Sequence, residues 1–170
     1  PRKERKLRIM EIGFARAGKL LQIDDARIIF KNFSGEESKF NRAGDRNFAV
    51  RIDDTELADQ LIADGWNVTV KPPKEEGDDP YMYIKVKIKF NDRGPKVFLK
   101  SGKHVRRLSE QNVGLLDSID ILRVDLDLRA YDWEVNGKTG RTAYLDSINV
   151  EQNLNRFEEY YENEFEECED

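Results

Sequence analysis

Tyr81, Tyr83, Lys85, Lys87 and Lys89 recur at every second position between Tyr81 and Phe90. Aromatic rings stack nucleobases and evenly spaced ammonium groups follow a phosphate backbone, so this set fits sequence-independent binding of a single-stranded nucleic acid. The same lysines would also suit a half-solvated edge strand that only has to stay unpaired and soluble. Aromatic and basic residues also neighbour one another at Lys31 and Phe33, at Arg46 and Phe48, and at Arg129, Tyr131 and Trp133. Downstream cations extend the set, which becomes Lys31, Phe33, Arg46, Tyr81, Tyr83, Lys85, Lys87, Lys89, Arg93, Lys96, Lys100, Lys103, Arg106, Arg107, Tyr131 and Trp133.

A second chemistry is written more weakly. Asp117, Asp120, Asp125 and Asp127, with Glu134 and Lys138 downstream, offer hard oxygen ligands of the kind a metal-dependent nuclease uses. Asp125 and Asp127 alternate with arginines, however, and cross-strand charge pairs would account for them. Asn136-Gly137-Lys138-Thr139-Gly140 is only faintly like a phosphate loop, since it lacks the glycine spacing and sits in a hairpin. The single histidine, His104, stands among basic residues and reads as a phosphate or solvent contact, and the single cysteine, Cys168, allows neither an internal disulfide nor a cysteine zinc site. No catalytic residue, metal or cofactor is expected, and the chain is expected not to be an enzyme.

The elements that must position these side chains follow from periodicity. Within Tyr81 to Phe90, Met82, Ile84, Val86, Ile88 and Phe90 take the face opposite the tyrosines and lysines, which makes a strand with one core face. Ala26 to Phe33 and Arg46 to Ile52 alternate similarly and predict two more strands, with Phe48, Val50 and Ile52 inward. In the first of them Ile28 and Phe30 share one side, while Arg27, Ile29, Lys31 and Phe33 share the other. Asp53 to Glu56 supplies cap candidates for a helix of about three turns ending at Gly65. Trp66 to Val70 and Lys96 to Lys100 are short strands, with Trp66 buried at the helix exit. Lys71 to Pro80 is a loop, and His104 to Ile119 is a connector with few strand signals.

The clearest hairpin joins Ile121–Val135 to Arg141–Val150 through residues 136–140. Its first arm puts Leu122, Val124, Leu126 and Leu128 on one face and Tyr131 and Trp133 on the other. In its second arm Tyr144, Ile148 and Val150 alternate with Ala143, Leu145 and Ser147. The expected organisation is a basic N-terminal arm over residues 1–24, where no single period holds, a small mainly β domain over 25–152, and an acidic tail over 153–170.

Charge sharpens that division. The chain carries a net −5, yet Tyr81 to Glu110 alone carries +7, and Arg156 to Asp170 carries −7 from eight acidic residues against one arginine. Such asymmetry points to a nucleic-acid binder with a charged tail. A tethered polyanion can compete with phosphates for the basic face, and its interleaved Phe157, Tyr160, Tyr161 and Phe165 are expected to anchor partner proteins. No run is apolar enough to span a membrane, and no apolar signal segment follows the basic residues at the start.

Residues 26 to 150 resemble the bacteriophage single-stranded DNA-binding proteins built on the OB fold. The likeness rests on Ile28-Ile29-Phe30-Lys31-Asn32-Phe33-Ser34-Gly35, on Gly44-Asp45-Arg46-Asn47-Phe48-Ala49-Val50, and on Tyr131 to Gly140 running into Thr142-Ala143-Tyr144-Leu145. It implies an OB-fold-like small barrel with one or two short helices, and non-sequence-specific protection of single-stranded DNA during phage replication or recombination. It also implies work without a cofactor in the cytoplasm of the bacterial host cell, with phage or host replication and recombination proteins meeting the tail. An interaction or inhibitor protein acting through the acidic tail, and the metal nuclease, are the alternatives.

Overall fold

In the computed structural model of the protein, residues 10–15, 19–78, 80–155 and 157 are described. The alternation of Tyr81 to Phe90 forms a strand whose odd residues stay at least partly exposed while Met82, Ile84, Val86 and Ile88 are buried. Around it the chain lays down β1 (Glu11–Ala15), β2 (Leu20–Asp24), β3 (Arg27–Asn32), β4 (Arg46–Ile52), α1 (Thr55–Ala63), β5 (Val68–Lys71), β6 (Tyr81–Ile88), β7 (Lys96–Ser101), β8 (His104–Leu108), β9 (Ile121–Val135) and β10 (Lys138–Gln152). A 3-10 turn, Val113–Asp117, precedes β9. Among the described residues no helix is long and apolar enough to cross a membrane.

Strand order explains the shape. The sheet runs β1-β2-β9-β10-β6-β4-β3, with β6 and β10 parallel. Its β2 and β3 ends are one continuous piece of chain bent at Asp25, where φ is +53°. A single bent strand thus pairs β9 with one half and β4 with the other, and the Ala26 amide donates to the Val124 carbonyl at 2.7 Å across the join. The result is a partly open barrel of five principal strands with OB topology. Hairpin β7–β8 is an addition that pairs with the second half of β10, and β5 lies on the first half of β6.

Two strands form between residues 11 and 24, where the sequence holds no single period, and Leu21 and Ile23 of β2 enter the core. The expected connector after His104 also differs, because its first five residues are β8, an edge strand with only Leu108 buried. Such a strand has no apolar alternation to reveal it. The β9–β10 turn shrinks to Asn136-Gly137, both with positive φ, as a two-residue hairpin requires, so β10 starts at Lys138 rather than Arg141. Trp66 is buried as expected, and Val113 and Leu116 of the connector segment are buried too.

Two bulges change which side chains reach the core. In β3 one extra residue lies between Ile29 and Asn32 relative to β4, so Phe30 turns outward and Phe33 inward. Phe33, expected on the binding face, is instead fully buried and stacked on Phe48 at a centroid distance of 5.2 Å. In β10 an extra residue at Asp146 lets Ala143 and Leu145 and then Ile148 and Val150 all face inward, which leaves Tyr144 outside.

One guanidinium ties the hairpin to the helix. Arg141 makes a bidentate contact to Asp132, at 2.6 and 3.1 Å, donates to the Asp64 carbonyl at the helix end at 2.9 Å, and lies over the Trp66 ring. Gly65, at φ +96°, passes so close that a Cβ would stand 3.2 Å from the guanidinium carbon. Hydrogen bonds from Arg141 and then Lys19 hold the Asp132 carboxyl well below the usual carboxylate range.

Phe33→Ala is expected to lower the unfolding free energy by about 3–5 kcal/mol, read as a shifted urea midpoint; a change within experimental error would return Phe33 to the surface. Asp132→Asn should cost less than about 1 kcal/mol at pH 7, because the carboxylate itself is open to solvent. The folded pKa of Asp132 is depressed, so its contribution is complete above the unfolded value of about 3.9 and is lost as pH falls toward the folded value. Wild-type and Asp132→Asn midpoints should therefore converge as pH drops below about 4; a gap that widened instead would show the sign to be wrong.

Candidate nucleic-acid interface

The outward face of β6 is continuous with its neighbours on both sides. Tyr83 stands opposite Arg51 of β4, Lys85 opposite Ala49, and Lys87 between Asn47 of β4 and Tyr144 of β10. Across β10, Tyr144 pairs with Arg129 of β9, whose guanidinium lies 5.4 Å from the tyrosine ring centre, and Tyr131 meets the same ring edge-on. The face thus carries cations and aromatic rings across four strands.

A groove of about 420 Å³ opens over it, lined by Lys85, Lys87, Lys89, Arg42 and Arg46 together with Phe40 and Tyr144. Among the described residues no carboxylate lies within ion-pair distance of Lys85, Lys87 or Lys89. Five cations against Asp45, the one acid in the lining, make a channel that attracts a polyanion and releases the polyanion's counterions on binding.

The wall bearing Phe40 and Arg42 is the loop between β3 and β4, and it is braced. The Asn41 side-chain amide donates to the carbonyls of Glu36, Arg42 and Asp45 at 2.8 to 3.0 Å, while its oxygen accepts from Asn47 at 2.9 Å. Asn32 and Glu36 exchange two further bonds, and the Gly44 amide donates to Gly35 at 2.8 Å. Gly35, at φ +72°, sits so near Gly44 that a Cβ would come within 3.0 Å of its backbone. The bracing leaves Phe40 90% exposed at the groove.

Beyond the groove, at the start of β6, Tyr81 and Tyr83 meet edge-on at 6.1 Å, and Phe30 packs on both, 5.5 Å from Tyr83 and 6.4 Å from Tyr81. Arg51 covers Tyr81 at 4.4 Å and is held by Asp53.

The expected residues divide by position. Arg46, Tyr81, Tyr83, Lys85, Lys87, Lys89 and Tyr131 share this surface, and Trp133 continues it along β9, its ring lying across Gly140. Arg46 is also braced, donating to the Glu110 carbonyl at 3.1 Å with Phe90 beneath it. Phe33 is core, and Lys31 is half-buried and donates to the Leu116 carbonyl at 3.2 Å, an anchor for the 3-10 turn. Lys96, Lys100, Lys103, Arg106 and Arg107 lie on β7–β8 and its turn, outside the groove lining, and Arg93 is in the exposed turn before it. Phe157 is exposed, while Tyr160, Tyr161 and Phe165 and the acidic run lie outside the described residues.

Phe30, Phe40, Arg42 and Tyr144 were not among the expected residues. A loop aromatic framed by Asn41, Gly44 and Asp45 was the available signal for Phe40; bulges hid the other two rings.

The four aspartates of the nuclease reading are engaged one by one. Asp117 accepts from the amides of Phe33 and Ser34 and the Ser34 hydroxyl, Asp120 from Asn153, Asp125 from the Asp25 amide and Arg123, and Asp127 from Ser147. Burial pushes the Asp127 carboxyl up, against the lowering effect of its Ser147 bond. Among the described residues no three potential ligands gather to hold a metal.

Comparison with known proteins bears on the fold and the family. Solved structures of the single-stranded DNA-binding protein from bacteriophage Enc34 are similar: one has 10% identity and a TM-score of 0.51, covering 88% of this chain and 93% of that one. Another, in complex with ssDNA, has 11% identity and a TM-score of 0.49, covering 87% and 98%. At such identity the first likeness speaks to the fold alone. No curated protein matches the sequence. The sequence model of the phage ssDNA-binding domain matches residues 14–169, nearly the whole chain, and the chain therefore belongs to that family.

Proposed function

We propose that the protein coats single-stranded DNA without sequence preference during phage DNA replication or recombination, in the cytoplasm of the host cell and without catalysing a reaction. The observation that supports this most is the groove itself: Lys85 and Lys87 of β6, Lys89 just after it, and two arginines line it together with aromatic rings, and among the described residues no carboxylate pairs with the three lysines. Lysines on a rigid strand follow phosphates irrespective of base, and rings accept any base on their faces, so the chemistry recognises a strand and not a sequence. In OB folds this face, with the loops beside it, is where oligonucleotides lie.

The residues gathered at the groove and along β9 divide the work in that reading. Lys85, Lys87, Lys89, Arg42 and Arg46 hold phosphates, while Tyr83, Phe40, Tyr131 and Trp133 offer stacking surfaces. The cations of β7–β8 lie apart and would extend the path of a longer strand. The acidic tail, with Phe157, Tyr160, Tyr161 and Phe165, is assigned to contacts with replication and recombination proteins.

A single-stranded oligonucleotide should quench Trp133 fluorescence, with log affinity falling linearly in log salt. Removing both charges with Lys85→Gln and Lys87→Gln should lower that slope by about 1.4, at roughly 0.7 per phosphate contact on a single strand. An unchanged slope would separate these lysines from the DNA path, and absence of binding at low salt to single-stranded DNA, duplex DNA and RNA alike would end the reading.

A further inference from the structure

Phe30 combines three features that local packing does not account for together. It is 61% exposed. Its φ is +53°, in the left-handed region. It opens the β3 bulge, a position where glycine is the usual residue in that conformation. The other described non-glycine residues at positive φ are Asp25 and Asn136, short polar types that tolerate it, whereas a phenylalanine there is strained. A ring that stays mostly in water recovers little hydrophobic energy in return.

We propose that the bulge is held in this strained form to place Phe30 beside Tyr83 and Tyr81 as a nucleobase-stacking site at the far end of the lysine track. Geometry supports a ligand face. Phe30 meets Tyr83 at 83° between ring planes and 5.5 Å between centres, so the two rings form a corner, with Tyr81 tilted against Phe30 at 6.4 Å. Arg51 fixes the Tyr81 end by lying over its ring while Asp53 holds both Arg51 and Arg27. The corner continues the odd-numbered face of β6, two residues from Lys85, so a strand whose phosphates follow Lys85 to Lys89 carries its next bases over Tyr83 and Phe30. A base stacked on Phe30 covers the apolar ring that the fold leaves in water, and strain at functional positions is kept for such ends.

The proposal rests on the single-stranded DNA reading above, and the test separates the two. In the full chain, Phe30→Gly, Phe30→Ala and Phe30→Trp are compared by urea denaturation and by anisotropy with a fluorescent thymidine oligonucleotide and with an abasic oligonucleotide of equal length. Phe30→Gly should bind the thymidine strand about 5- to 150-fold more weakly, the fold-change of one lost stacked base. It should match wild type on the abasic strand, while Phe30→Trp retains affinity for both. Phe30→Gly should also unfold at higher urea than Phe30→Ala, because only glycine relieves the left-handed backbone. Wild-type affinity of Phe30→Gly for the thymidine strand overturns the stacking site, as does an equal loss on the abasic strand. A Phe30→Ala midpoint at or above that of Phe30→Gly overturns the strain. If wild type itself fails to bind the thymidine strand, the functional reading fails before the role of Phe30 is reached.

Discussion

Register at β6 is the constraint on which the rest depends. This strand has β4 along one edge and β5 followed by β10 along the other, so both its edges are hydrogen-bonded. Its even residues fill the core and its odd residues face the ligand side. A slip of one residue would drive Lys85 and Lys87 into the barrel and put Ile84 and Val86 in water, an exchange no local adjustment could absorb. The apolar half of the strand therefore fixes the spacing of the charged half. Binding cations about 7 Å apart along the strand follow from the two-residue repeat, without any dedicated scaffold.

Positive groups elsewhere in the protein show by contrast what makes the groove a binding surface. Arg141 is held by a carboxylate, a carbonyl and an indole ring, and Arg27 and Arg51 share Asp53. Those guanidiniums are consumed in positioning the hairpin and the β3–β4 edge. Among the described residues Lys85, Lys87 and Lys89, beside Arg42, have no carboxylate within ion-pair distance, and a polyanion that displaces their counterions relieves the repulsion among them. Among the described residues the ion pairs thus serve orientation while the groove keeps a surplus of positive charge, a division that net charge conceals.

Where the sequence was legible, a period ran unbroken. The limits of β4, the helix capped by Asp54 and the inward face of β6 all appear in the spacing of apolar residues, because each lies in a segment with one buried side. The β9–β10 turn was legible in place and not in length: residues 136–140 were expected, whereas Asn136-Gly137 alone, with two successive positive φ angles, make the turn. β8 was hidden because an edge strand with four exposed residues has no apolar rhythm, and β2 because its Leu21 and Ile23 alternate over only five residues. Phe40 depends on side-chain bonds from Asn41, and Arg42 shares its loop; tertiary bracing of this kind has no period at all.

The two misplaced aromatics, Phe33 and Tyr144, share one physical cause. Strict alternation along β10 could turn Tyr144 outward only by exposing Ile148 and Val150, and strict alternation along β3 would keep Ile28 inward only by turning Phe33 out. One extra residue in each strand removes the conflict: Ala143, Leu145, Ile148 and Val150 are all buried with Tyr144 outside, and Phe33 reaches Phe48 while Phe30 points to the tyrosines. Each bulge interrupts the local ladder, yet it preserves apolar burial on both sides of the interruption. In both strands the ring left outside lands against β6, Tyr144 beside Lys87 and Phe30 beside Tyr83. Irregularities that a period-two reading treats as noise are therefore what bring rings from two other strands to the charged strand.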